Sequence, residues 1–377
     1  MKINIGMHKD KEVIFDKNLA NNSHMVLLGA TGSGKTTEMI RLMIEIVKNG
    51  GTVLAFDTNN IFSDSQIHKG YLADFKKYLR EIDVYNDGIK VPLFEALTFS
   101  DGTVEKDVDI MDSITEAFAT TFEFGVKQKA TLRNAICIVA NKNLYSEFGI
   151  KAVSGVLADM KTLKSLEVRE RISQITDHNV FVDGEFFIEE GKINLIRISK
   201  FSDDTQLKIM EIMSAILWKY ASKEKFVDNG VYLAFDECQN LAHGKNSMIA
   251  KILREGRRFN LNLLLSTQVL AQDAQITKLM TQAALILNFK PAKSEIKKVA
   301  ELIDNTNIES WMVMLHRLNR GEFVASGQLV YDDKIIKVPL VVTAVIDENN
   351  KIKEQENVEL PSITNEEVII EGAWSMY

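Results

Sequence analysis

One stretch constrains this chain more than any other: Gly29-Ala30-Thr31-Gly32-Ser33-Gly34-Lys35-Thr36-Thr37. The apolar run Met25-Val26-Leu27-Leu28 precedes it, and an amphipathic segment, Glu38 to Val47, follows. That order predicts a strand, a glycine loop and a helix. The spacing is Gly29, four residues, then Gly34-Lys35-Thr36, which is that of the Walker A phosphate loop. The glycines let the backbone turn tightly and bring several N–H groups to one phosphate chain. The helix start adds its positive dipole end. Lys35 is placed to reach the β- and γ-phosphates, and the Thr36 hydroxyl to ligate Mg²⁺. The expected contacts to ATP are therefore Gly29, Thr31, Gly32, Ser33, Gly34, Lys35, Thr36 and Thr37.

A second stretch, Val231-Tyr232-Leu233-Ala234-Phe235-Asp236-Glu237, reads as a Walker B strand: a buried run delivering two acids. Asp236 is expected to hold Mg²⁺ through water, and Glu237 to polarise the attacking water as general base. Two adjacent acids favour a hydrolytic motor over a small kinase or GTPase. Ser266-Thr267-Gln268 closes the next apolar run. An amide there either meets the γ-phosphate and the water or simply begins a polar loop. Between these strands stands Arg254-Glu255-Gly256-Arg257-Arg258. Arg254, Arg257 and Arg258 read as a solvated helix end, favoured by the dipole, or as an arginine finger for a neighbouring subunit.

The strands and helices alternate. Thr52–Phe56 and Leu261–Leu265 are continuous apolar runs, as expected of parallel strands buried on both faces. Residues 3–16 read as a hairpin, 71–80 as a helix, 89–93, 181–189 and 192–198 as strands, and 204–221 as a long helix. A short helix is expected over 276–282, and 321–326 and 335–345 finish the sheet. The fold class is thus α/β, with a mostly parallel central sheet flanked by helices. Between 104 and 175 the period turns helical, with Val104, Val108, Met111, Ile114 and Phe118 at three- and four-residue spacing. The expected organisation is a core of 1–103 and 176–345, a helical insertion of 104–175, and an acidic tail of 346–377. Ligands in such sheets bind at the carboxyl ends of strands. Lys35, Asp57, Asp236, Glu237 and Gln268 all follow such ends. Asp57 lies either near the nucleotide or as a loop cap.

The 377 residues carry a net charge of −7, which excludes an overall basic nucleic-acid binder but leaves room for a local basic channel. Lys127, Lys129 and Arg133, and Lys290, Lys293, Lys297 and Lys298, are either DNA contacts or solvated helix faces. No apolar run approaches the roughly 20 residues needed to cross a bilayer. Cys137 and Cys238 form no metal-ligand pattern and fit a reducing cytoplasm.

Together these stretches resemble the HerA/FtsK superfamily of ring-forming P-loop ATPases, and HerA most of all. The likeness is carried by His24 to Thr37, by Glu189 to Ile196 with the helix from Asp204, and by Phe235 to Leu241 (FDECQNL). Arg254 to Gln268 (REGRRFNLNLLLSTQ) and Leu318 to Val324 complete it. The resemblance implies a RecA-like core, ATP hydrolysis between subunits, a hexameric ring and translocation along double-stranded DNA. It also implies a partner nuclease or other effector, in DNA processing or anti-phage defence. Family members usually begin with a β-barrel; with only 28 residues before Gly29, that barrel is not expected here. A different reading makes the chain an ATP-gated scaffold that regulates an effector with little translocation. A secretion-type ATPase is a third.

Overall fold

The computed structural model describes residues 1–99, 101–223, 229–241, 247–268, 277–278 and 280–344. The tail expected over 346–377 lies outside them, as do residues 276 and 279 of the helix expected over 276–282, of which 277, 278 and 280 are helical.

The strands are β1 (Lys2–His8), β2 (Lys11–Asp16), β3 (Met25–Leu28), β4 (Thr52–Asp57), β5 (Leu79–Asp83), β6 (Ile89–Lys90), β7 (Phe181–Val182) and β8 (Ile193–Arg197). They continue with β9 (Val231–Phe235), β10 (Leu261–Thr267), β11 (Leu285–Phe289), β12 (Glu322–Gly327), β13 (Leu329–Tyr331), β14 (Lys334–Ile336) and β15 (Leu340–Thr343). Thirteen of these form one sheet in the order β14-β13-β2-β1-β15-β12-β11-β3-β10-β9-β4-β8-β5. From β11 to β5 every pairing is parallel. From β11 to β14 every pairing is antiparallel. The parallel half carries the site; the antiparallel wing joins both ends of the described chain to it.

Alternation along the parallel strands explains the layers. Val26, Leu28, Leu54, Phe56, Leu233 and Phe235 belong to one buried cluster, and Met25, Leu27, Val53, Ala55, Tyr232 and Ala234 to another. Successive side chains point to opposite faces, so two cores form, one on each face. Helix α1 (Lys35–Lys48) feeds Met39, Leu42, Met43 and Ile46 into the second cluster. Each such side chain contributes about 1.5–3 kcal/mol on burial. A buried ion pair accompanies them. Arg41 Nε and Nη2 donate to Glu38 Oε2 and Oε1 at 2.8 and 2.6 Å, and Arg41 Nη1 donates to the Asn4 carbonyl at 2.6 Å. This ties α1 to β1.

Further helices are α2 (Lys69–Tyr78), α3 (Val84–Asp87), α4 (Asp107–Thr121), α5 (Val126–Asn141), α6 (Tyr145–Phe148), α7 (Lys151–Asp159), α8 (Leu163–Thr176) and α9 (Asp203–Lys223). Helices α4, α5, α7 and α8 and α9 share the first cluster through Ile114, Leu132, Val153, Ile172 and Met213. Helix α10 (Met248–Glu255) begins at Ser247, whose hydroxyl accepts from Ala250 N at 3.3 Å.

Four expectations differ from the fold. The strand expected over 89–93 is only Ile89–Lys90. The helix expected over 71–80 stops at Tyr78, and Leu79–Asp83 becomes edge strand β5 beside β8. The strand expected over 181–189 is only Phe181–Val182, paired with β6. The strand expected over 335–345 is split between β14 and β15, which belong to different neighbours. In each case partners across the sheet, rather than local propensity, settle where pairing starts and stops.

Candidate nucleotide-binding site

Strands β3, β10, β9 and β4 end in register: Leu28 pairs with Thr267, Phe235 with Leu265, and Ala55 with Ala234. Their carboxyl ends therefore deliver the phosphate loop, Asp236 and Glu237, and Gln268 to one edge of the sheet. The loop is pinned from both neighbouring strands. Gly29 N donates to the Thr267 carbonyl at 3.2 Å, and Ala30 N to the Lys290 carbonyl at 2.8 Å. Gly34, at φ 108°, caps α1 in a backbone conformation open to glycine. A Cβ there would also stand 3.1 Å from Gly321 N. Gly321 N in turn donates to the Ser33 carbonyl at 3.0 Å, so the turn before β12 braces the loop.

Lys35 is 7% exposed, and its Nζ donates to the carbonyls of Gly29 and Ala30 at 2.7 and 3.0 Å. Burial pushes its pKa below the usual lysine value, while Asp236 and Glu237 pull it back up. The Thr36 hydroxyl donates to Asp236 Oδ2 at 3.0 Å. Glu237 N donates to Asp236 Oδ1 at 3.0 Å, and Glu237 adopts φ 51°, ψ 44°. A left-handed glutamate is strained, and such strain concentrates at functional sites. Gln268 Nε2 donates to Glu237 Oε1 at 2.7 Å, and Thr31 Oγ1 donates to Gln268 Oε1 at 2.7 Å. Thr36, Asp236, Glu237, Gln268 and Thr31 are thus joined by hydrogen bonds, and Lys35 lies within electrostatic reach of Asp236 and Glu237.

The cluster fits a magnesium nucleotide. Among the described residues Ser33 Oγ is buried without a hydrogen-bond partner, which a phosphate oxygen would supply. The Thr36 hydroxyl and Asp236 carboxylate are a hard oxygen donor set suited to Mg²⁺. Gly32, at φ 78°, and Gly34 give the loop a bend that concentrates N–H groups. Thr37 lies in the first turn of α1, half-buried.

The three arginines are elsewhere. Arg254 lies in the last turn of α10, and Arg257 and Arg258 occupy the 3-10 turn Gly256–Phe259 that leads into Leu261. Leu261 opens β10, six residues before Thr267, or roughly 20 Å along the strand. These cations therefore stand at the opposite edge of the sheet from the phosphate loop of their own chain. All three are exposed. A Cβ at Gly256 would come within 2.2 Å of the Leu261 carbonyl, so the turn that presents them demands glycine. Arg258 lies over the Phe259 ring, which meets Trp218 edge-on.

Asp57 takes the loop-cap role. It is fully buried, accepts from Ile61 N at 3.0 Å and pairs with Arg197 Nη1 at 2.7 Å. Among the basic groups weighed as DNA contacts, Lys129 pairs with Glu116, Arg133 with Asp112 and Lys298 with Glu295. Sequence reasoning gave no role to Gln239, whose Oε1 accepts from Thr267 Oγ1 at 2.9 Å and from Gln268 N at 3.4 Å. Its place two residues after Glu237 was the available signal. A cavity of about 870 Å³ opens apart from this cluster, between α4 and α9, with Asp112, Glu211, Trp218 and Lys219 among its lining. Burial pushes Glu211 there up to about 7.

The sheet and the cluster define a RecA-like P-loop ATPase fold. Within that class the chain belongs to the family described as "Helicase HerA, central domain", which matches residues 3–217. It is 26% identical over 339 residues to the DNA double-strand break repair helicase HerA of Sulfurisphaera tokodaii, a match covering 84% of this chain and 64% of that protein. The chain thus spans a little under two thirds of the length of the curated relatives it matches. Its fold is similar to that of VirB4 of Thermoanaerobacter pseudethanolicus, with TM-score 0.65 at 14% identity, covering 91% of this chain and 96% of that one. The plasmid coupling protein TrwB, in complex with ADP and Mg²⁺, gives TM-score 0.57 at 14% identity and coverage of 86% and 85%. At such identities the likeness is one of fold. Among the described residues no helix is long and apolar enough to cross a membrane.

Proposed function

We propose that the chain is an ATP-hydrolysing motor of HerA type that assembles as a ring, probes double-stranded DNA through its channel and moves along it. The observation that carries this is the hydrogen-bonded set Thr36, Asp236, Glu237 and Gln268 at one strand edge, with Lys35 in electrostatic reach of the two acids. In this reading 104–175 is an insertion in a core made by 1–103 and 176–345. Lys35 and the loop N–H groups hold the phosphates. Thr36 and Asp236 hold Mg²⁺, which neutralises charge developing on the phosphate oxygens. Glu237 orients the attacking water and takes its proton. Arg254, Arg257 or Arg258 of an adjacent subunit completes the site, because none of them reaches the phosphate loop of its own chain. A hexamer is the ring we favour. In this reading the motor works with a partner nuclease or other effector, in DNA processing or antiviral defence, and two free cysteines suit the cytoplasm.

One observation favours a second reading. Lys129, Arg133 and Lys298 each face an acid, which offsets the positive charge they offer to a DNA phosphate. An ATP-gated scaffold that regulates an effector needs no DNA track. Phosphate release with and without duplex DNA, at two salt concentrations, separates the two. A motor's ATPase rises with DNA, and its DNA affinity falls steeply with salt. An ATPase indifferent to DNA would leave the scaffold.

A further inference from the structure

We propose that the Thr31 hydroxyl is the positioning group for Gln268, and that the pair keeps the Glu237 carboxylate occupied until nucleotide arrives. This rests on the hydrolase reading above, and gives the phosphate-loop threonine a task other than holding phosphate.

The argument begins with the amide. One arm of glutamine only accepts and the other only donates. An ionised Glu237 only accepts, so Gln268 must offer it Nε2, which it does at 2.7 Å. Oε1 is then turned away and needs a donor. Thr31 Oγ1 supplies one at 2.7 Å. Thr31 thereby selects the amide orientation that engages Glu237. Little else competes for the task. The backbone of Gln268 is held separately by Gln239, and the backbone of Glu237 by Asp236. Those bonds place the chain but leave the amide free to rotate. Thr31 is exposed on the loop, whereas Ser33 and Lys35 are buried in it.

The consequence is a relay. The bond from Nε2–H takes up one acceptor position on Glu237 Oε1 and holds the carboxylate facing the amide. A γ-phosphate oxygen is a competing acceptor for that same N–H. When Nε2 turns to the phosphate, Glu237 is released to the water, while Thr31 keeps Oε1 engaged so that the amide swings without flipping. Nucleotide arrival and readiness of the base are coupled through one side chain.

Thr31→Val keeps the shape and removes the donor. ATP affinity is expected to stay within about twofold, while turnover falls about tenfold, the worth of one hydrogen bond. Thr31→Ser restores most of that loss. Gln268→Ala also slows turnover, and adding Thr31→Val to it costs nothing more, because both act through one amide. A structure of nucleotide-free Thr31→Val should show the Gln268 amide parted from Glu237. An affinity that falls as far as the rate would make Thr31 a phosphate ligand and overturn the proposal. So would losses that multiply in the double variant, or an amide that stays on Glu237 without Thr31. If the unaltered protein turns over no ATP, the hydrolase reading fails, and the nucleotide-free structures still decide the positioning.

Discussion

Thr36 and Asp236 stand 200 residues apart in the chain, yet the threonine hydroxyl donates to the aspartate carboxylate at 3.0 Å. The contact joins the helix after β3 to the end of β9, across the intervening strand β10. It closes the loop and the two acids into one site, on which the expectations for Lys35 and Glu237 depend.

Lys35→Ala removes the only loop side chain that brings a full positive charge to the phosphates. A hydrogen bond to a charged group is worth about 1.5–3 kcal/mol. ATP affinity should therefore drop about 10- to 100-fold by isothermal titration. Unchanged affinity would remove Lys35 from phosphate binding.

Glu237→Gln keeps the size of the side chain and loses its basicity. Nucleotide binding should persist while phosphate release slows about 10²- to 10⁴-fold, the range of general-base effects. Near-normal turnover would show that another group activates the water.

Two inactive proteins should complement each other. Lys35→Ala has an intact arginine cluster, and the double variant Arg257→Ala/Arg258→Ala has an intact loop. In the proposed ring, mixed assemblies would contain some seams where an intact loop faces intact arginines, so part of the ATPase should return. An arginine finger is worth about 10³- to 10⁵-fold elsewhere, which makes even a minority of repaired seams visible. No recovery despite subunit exchange, or full activity in a monomer, contradicts a site shared between subunits.

Removing Glu38 strands Arg41 inside α1. Both are buried, at 1% and 6% exposed. Breaking a buried pair costs about 3–5 kcal/mol, whereas replacing both partners by apolar residues is often neutral. Chemical denaturation should place Glu38→Ala well below Glu38→Met/Arg41→Leu in stability. Equal losses would mean that the Arg41 bond to the Asn4 carbonyl, and not its charge partner, is what matters.

His24 gives the fold a predictable acid sensitivity. It is 1% exposed, its Nδ1 accepts from Leu263 N at 3.1 Å, and burial lowers its pKa from 6.5 to about 4. Between those values the unfolded chain binds the proton and the folded chain does not. Stability therefore falls as pH drops from 6.5 toward 4, by about 3 kcal/mol for this group. Denaturation midpoints at pH 7.5 and 4.5 measure the fall. His24→Asn, which keeps an acceptor, should flatten it; an undiminished fall would assign the sensitivity to other groups.

The sequence by itself determined the local parts. The phosphate loop was legible because its chemistry is contiguous: glycines, lysine and threonine act on one another across a few bonds. The parallel strands were legible because burial on both faces demands unbroken apolar runs, as in Thr52–Asp57 and Val231–Phe235. Only the tertiary structure decided what depends on neighbours brought from afar. Asp57 became a cap because Arg197 lies opposite it on β8. Leu79–Asp83 became a strand because β8 offered a free edge. Gln268 acquired its partners from Thr31 and Glu237, and Gln239 acquired Thr267, through register between strands that no local pattern specifies. Arg254, Arg257 and Arg258 were conspicuous as a charge cluster, yet which end of the sheet they occupy follows only from the direction of β10. The physical reason is the same in each case: propensity and periodicity act over a few residues, whereas hydrogen bonds and ion pairs act over a few ångströms, and folding is what makes the two distances different.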